Sequence, residues 1–101
     1  MATYVVLGNW TEQGVKDFAG APARARANAE AAAAMGGRIV ATYWTMGEYD
    51  FVTIVEAADD ATVTAGLLVL GAAGNARTVT MRAFVESEME AIVAAAASAG
   101  R

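Results

Sequence analysis

Tyr49 and Asp50 follow a short Met46-Gly47-Glu48 turn, and a phenol beside a carboxylate has the makings of an acid/base pair. Neighbouring residues on a strand point to opposite faces, so these two cannot converge on one substrate atom. Asp50 is therefore expected to cap the hairpin or hold a backbone amide, and Glu48 to be a solvated turn charge. Thr78, Thr80 and Arg82 alternate along another strand-like run and share a face. A guanidinium flanked by hydroxyls suits a carboxylate or an enolate. Together with Tyr4, Thr42, Trp44, Tyr49, Phe51 and Thr53, they form a candidate lining for a cavity that takes a small anionic or aromatic ligand. The competing reading is that these polar groups satisfy one another and interfacial water.

Other chemistries are excluded or weakened by what the chain lacks. It has no histidine and no cysteine. The commonest general base, the commonest transition-metal ligand, thiolate sites and disulfides all fall away. Asp59-Asp60 is half a metal site at most and reads better as the start of a helix. The glycines between Gly71 and Gly74 are too few and wrongly placed to cradle a phosphate. Arg24 and Arg26 sit among alanines and read as a solvated helix edge. No residue is assigned a catalytic role, no metal or cofactor is expected, and an enzymatic activity is disfavoured. The net charge of −4 opposes nucleic acid and anionic membranes as partners. No apolar run approaches the ~18 residues of a membrane span, and Met1 leads almost at once into a strand. A cytoplasmic location is the default expectation.

The elements that must position these residues can be read in order. Thr3 to Asn9 is an apolar strand. Thr11 is an N-cap followed by Glu12, and Trp10 with Val15 has staple spacing. Gly20-Ala21-Pro22 interrupts the helix or starts a second one. Ala23 to Met35 is helical and alanine-rich, stopped by Gly36-Gly37. Strands Arg38–Thr45 and Tyr49–Ala57 form a hairpin. A helix over 61–73, a strand over 76–85 and a last helix over 86–97 complete the order. The pattern β-α-β-β-α-β plus a C-terminal helix predicts an α+β, ferredoxin-like fold: a four-stranded antiparallel sheet with helices on one face. One domain covers residues 1–97, and 98–101 is expected to fray.

Strand alternation divides the sheet into two faces. Val5, Leu7, Ile39, Ala41, Val52, Ile54, Met81 and Ala83 are expected beneath the helices. The aromatic and hydroxyl set, with Val6, Val40 and Val55, is expected on the open face. That face is too apolar to stay in water, so association of subunits through it is predicted, with the cavity between them. The helix over 61–73 is apolar nearly all round, which offers Val63, Leu67 and Leu70, together with Val79 on the sheet, as candidate interface residues.

Gly47-Glu48-Tyr49-Asp50 and Gly74-Asn75-Ala76-Arg77-Thr78 resemble the GYD-domain family. The likeness extends over Trp10-Thr11-Glu12-Gln13-Gly14, the Pro22-containing helix, Gly36-Gly37, Tyr43-Trp44, Asp59-Asp60 and Arg82-Ala83-Phe84. The resemblance implies small bacterial proteins of the dimeric α/β-barrel type with no firmly assigned activity. Ala76, Val79 and Val85 look unlike the family, and Gly66 is unfavourable inside a helix. Apolar residues in place of polar ones raise redesign of an interface, as well as natural drift, as an origin. Two functional readings follow. One is a non-catalytic homo-oligomeric domain, natural or re-engineered for self-assembly. The other is a small-molecule binder or cofactor-free oxygenase or isomerase using the cavity.

Overall fold

A computed structural model describes residues 1–100 of the 101. Strand β1 (Ala2–Trp10) lies inside a four-stranded antiparallel sheet of order β2-β3-β1-β4, with β2 at Arg38–Trp44, β3 at Phe51–Ala57 and β4 at Ala76–Ala83. Helices α1 (Glu12–Lys16) and α2 (Ala21–Ala34) connect β1 to β2, and α3 (Asp60–Ala72) connects β3 to β4. A final helix, α4, spans Glu86–Ala99. This is the expected ferredoxin-like α+β arrangement. Pro22 falls in the first turn of α2, where its missing N–H costs nothing, and a 3-10 turn at Phe18–Gly20 separates α2 from α1. Helix α4 includes Ser98 and Ala99, because nothing in the alanine-rich run interrupts the helical pattern before Gly100. Arg101 of the expected tail lies outside the described residues.

Caps behave as their residue types dictate. Thr11 accepts from the Gly14 amide (3.1 Å), and Asp59 accepts from the Thr62 amide (2.9 Å) and hydroxyl (2.7 Å). Glu88 reaches back to the Val85 amide (3.1 Å) and pairs with Arg82 (3.1 Å). These bonds favour the charged form and hold both carboxyls below their ordinary pKa, through the Thr62 amide first for Asp59 and the Val85 amide first for Glu88. Both carboxyls thus bind protons more weakly folded than unfolded. Their contribution is complete above the ordinary carboxylate value of about 4 and is lost as pH falls through the depressed folded values. Urea midpoints should therefore drop as pH falls below the ordinary carboxylate value of about 4, and Asp59→Asn with Glu88→Gln should flatten that slope.

The two sheet faces are the reverse of the sequence expectation. Tyr4 and Val6 are 3% exposed, and Tyr4 packs with Ala57, Val63, Val55 and Leu67 beneath the helices. Thr53, Phe51, Thr42 and Trp44 lie on the same, helix-covered side. The alternate positions Val5, Leu7, Val52, Ile54, Val79 and Met81 must then point away from the helices. Ile39 does lie on the helix side as expected, for a reason the alternation hides. The β2–β3 register shifts between Ile39 and Ala41, leaving Val40 as the extra residue of a bulge. Ile39 opposite Val55 and Thr42 opposite Thr53 thereby share one face despite their odd and even numbers.

Candidate functional site

The helices do not close over the sheet. Between them lies a cavity of about 360 Å³ whose floor is the aromatic and hydroxyl face of β1–β3 and whose walls are α2 and α3. Its size follows from the residues that line it. The wall from α2 includes Ala21, Ala25, Ala31 and Ala32, none of which reaches far, and the wall from α3 contains Gly66, whose absent side chain would meet nothing within 4 Å. Phe51 lies flat across Gly8 on the neighbouring strand; a β-carbon on Gly8 would sit 2.0 Å from the ring. Trp44 stands opposite Phe51 in the strand pairing, and Trp10 contributes from the end of β1.

Four of the nine expected ligand-binding residues meet here: Thr42, Trp44, Phe51 and Thr53. Thr53 is 8% exposed, and its hydroxyl has only the Thr42 hydroxyl at 3.5 Å, the outer limit of a hydrogen bond. Tyr4, Thr80 and Arg82 line a second, smaller cavity of about 230 Å³ beside α3, together with Asp60. Tyr4 donates to Asp60 Oδ1 (2.5 Å), and that bond, aided by burial, raises the phenol's pKa. The Thr80 hydroxyl is buried without a partner. Arg82 is held by groups of its own chain. Its guanidinium lies over Phe84 (4.6 Å), bonds the Ala83 carbonyl and is paired with Glu88. Tyr49 and Thr78 line neither cavity.

The expected location between subunits is corrected accordingly, since the cavity-lining face is the helix-covered one. The interface set changes for the same reason. Val63 is buried against Tyr4, Leu67 packs on that cluster, and Leu70 lines the large cavity, so this stripe of α3 turns inward. Val79 alone of the four, at 52% exposure, stands on the open sheet face. The outer side of α3 shows Leu68 instead.

Sequence reasoning missed Trp10, Arg24 and Asn75. Arg24 is no solvated edge: it reaches from α2 to the Asp17 carboxylate (3.0 Å) and carbonyl (2.8 Å) while lining the cavity. A basic residue seven positions after an aspartate, across an interrupted helix, was the available signal.

The residues of the sequence motifs turn out to hold the loops that frame the site. Asp50 Oδ2 accepts the Trp10 amide (2.9 Å), and the Asp50 amide donates to the Gly8 carbonyl (2.8 Å), pinning the β2–β3 hairpin to the end of β1. Gly47 has φ +108°, a conformation that favours glycine. At the other edge, the Thr11 hydroxyl donates to the Gly74 carbonyl (2.6 Å), the Thr11 amide to Asn75 O (3.1 Å) and Gln13 Nε2 to Asn75 Oδ1 (3.0 Å). Among the described residues, no three acidic side chains gather as metal ligands would. No described helix is long and apolar enough to cross a membrane.

The chain is similar to known proteins over most of its length. The chain is 37% identical over 90 residues to a Thermus thermophilus protein named glutamine synthetase and cystathionine beta-lyase binding protein, covering 88% of this chain and 95% of that one. It is also similar to the crystal structure of TTHA0845, again from Thermus thermophilus, at 31% identity and a TM-score of 0.49, covering 84% of this chain and 95% of that one. The GYD domain model matches residues 4–93, nearly the whole chain, and the protein belongs to the GYD-domain family.

Proposed function

We propose that the protein is a non-catalytic, homo-oligomeric binding domain whose subunits meet through the open sheet face. The observation that supports this reading is the composition of that face. Val5, Leu7, Val52, Ile54, Val79 and Met81 fill its centre, and the nearest charges, the Arg38–Glu56 pair and Arg77, sit at its ends. Four strands of about seven residues make a face roughly 20 Å on a side. A charge-free apolar patch of that extent is at the upper limit of what a monomer leaves in water.

Helix α4 supports the same reading. It buries none of its residues, and its apolar positions Met89, Ile92, Val93 and Ala96 follow the i, i+3, i+4, i+7 spacing of a helix that docks on something. The chain extends 55 Å with a radius of gyration of 15.7 Å, against about 13 Å for a compact domain of this length. The reading needs no redesigned interface, since Ala76 is buried on the cavity side and Val79 belongs to an apolar face. A protein partner is included in the proposal, because the Thermus relative is named for the two enzymes it binds. Light scattering after size exclusion tests it. A mass of at least two chains is expected; a stable 10.4 kDa monomer would overturn it.

A further inference from the structure

We propose that the cavity between the sheet and helices α2 and α3 binds an uncharged aromatic molecule of about two rings that carries one hydrogen-bonding group. This goes beyond assembly through the opposite sheet face and does not depend on it.

Size sets the first limit. A volume of about 360 Å³ falls at the lower end of the range for small-molecule sites and is more than twice the ~150 Å³ that accepts benzene. Lining chemistry sets the second. Trp10 and Trp44, the only two tryptophans of the chain, and Phe51 all border the space. Flat rings stack or meet edge-to-face at such walls. The Phe51 ring is held flat by Gly8, so one aromatic surface is already in place before a ligand arrives.

Polarity sets the third limit. Thr53 is nine-tenths buried and aimed into the cavity, with only the distant Thr42 hydroxyl for company. A buried hydroxyl so poorly paired calls for a partner, and a ligand hydroxyl or amide would supply one. Charge sets the last. Arg24 is the one charged residue among those lining the space, and its guanidinium is occupied by the Asp17 carboxylate and by the Asp17 and Gly14 carbonyls. Asp17 already balances the one cationic charge at the cavity, so the anionic ligand expected from Arg82 is replaced here by a neutral one.

Equilibrium dialysis of the full chain against 2-naphthol tests the proposal, with 2-naphthoate as the charged control. Saturable uptake of one 2-naphthol per chain is expected, with shielding of both tryptophans from acrylamide and at least tenfold weaker binding of 2-naphthoate. Gly66→Leu projects a side chain into the open space and should weaken uptake at least tenfold while far-UV dichroism and oligomer mass stay unchanged. Ala32→Leu, from the facing helix, gives the same test should the first variant misfold. Thr53→Val should weaken 2-naphthol several-fold and leave naphthalene unaffected. Absence of saturable uptake, equal binding of 2-naphthoate, or full binding by well-folded filled variants would overturn the assignment. So would acrylamide shielding by self-assembly alone, which would mean that α4 of a second copy fills the space. Oligomer mass reads the sheet face separately, so failure here leaves the assembly reading standing or falling by itself.

Discussion

Gly14→Ala should lower the stability of the fold by about 2–4 kcal/mol, the sum of an overpacking cost and weakened loop hydrogen bonds. A β-carbon at Gly14 would lie 2.0 Å from the Asn75 carbonyl oxygen and 2.9 Å from its carbon. Both are backbone atoms, so no side-chain rotation relieves the clash. The loop after α3 would have to retreat, stretching the bonds from the Thr11 amide to Asn75 O and from the Thr11 hydroxyl to Gly74 O. For a domain of this size each kcal/mol moves Tm by roughly 4–8 °C, so a fall of about 10–25 °C is expected by scanning calorimetry. A change within about 3 °C, which is less than 1 kcal/mol, would mean that the two backbones do not touch. Gly66→Ala is the matched control. It sits in a helix with open space around it and should instead gain up to about 1 kcal/mol.

Val79→Glu should convert the assembled protein to a folded monomer. Val79 lies midway along the edge strand β4, pairs with Leu7 on the open face and is half-exposed in the single chain, so the substitution burdens the monomer little. In a sheet-to-sheet assembly it buries an unpaired carboxylate on each copy, at roughly 3 kcal/mol or more. That weakens association by over about 100-fold. Light scattering at a concentration where the parent is assembled checks it. Leu68→Glu, on the outer side of α3, should leave the mass unchanged. If Leu68→Glu dissociates the particle and Val79→Glu does not, the interface is α3 and the sheet-face reading is wrong.

Much of the fold is legible in the sequence because its signals are local. Gly36, Gly47 and Gly74 each have positive φ, and glycine alone marks all three as turns or helix stops. The caps at Thr11 and Asp59 involve partners three residues away. Asp50 holds a backbone amide as its position after the turn suggests, although that amide belongs to Trp10, forty positions earlier. The candidate site is only half legible. Alternation groups Thr42, Trp44, Phe51 and Thr53 correctly, but Tyr4, Thr80 and Arg82, grouped with them, line a separate space.

The order of elements, the turns and caps that bound them, family membership, and the absence of imidazole and thiol chemistry are all legible in the residues alone. Each depends on residue type and near-neighbour spacing. Tertiary structure decided which sheet face the helices cover, and therefore where the cavity lies. Alternation sorts strand residues into two sets but does not say which set is inside when both are apolar, as Val5-Leu7 and Tyr4-Val6 both are. The bulge at Val40 removes even the parity within β2. The cavity itself is a sum over distant parts. Alanines on α2, a glycine on α3 and a glycine beneath Phe51 each omit a little volume, and only their convergence leaves room for a molecule.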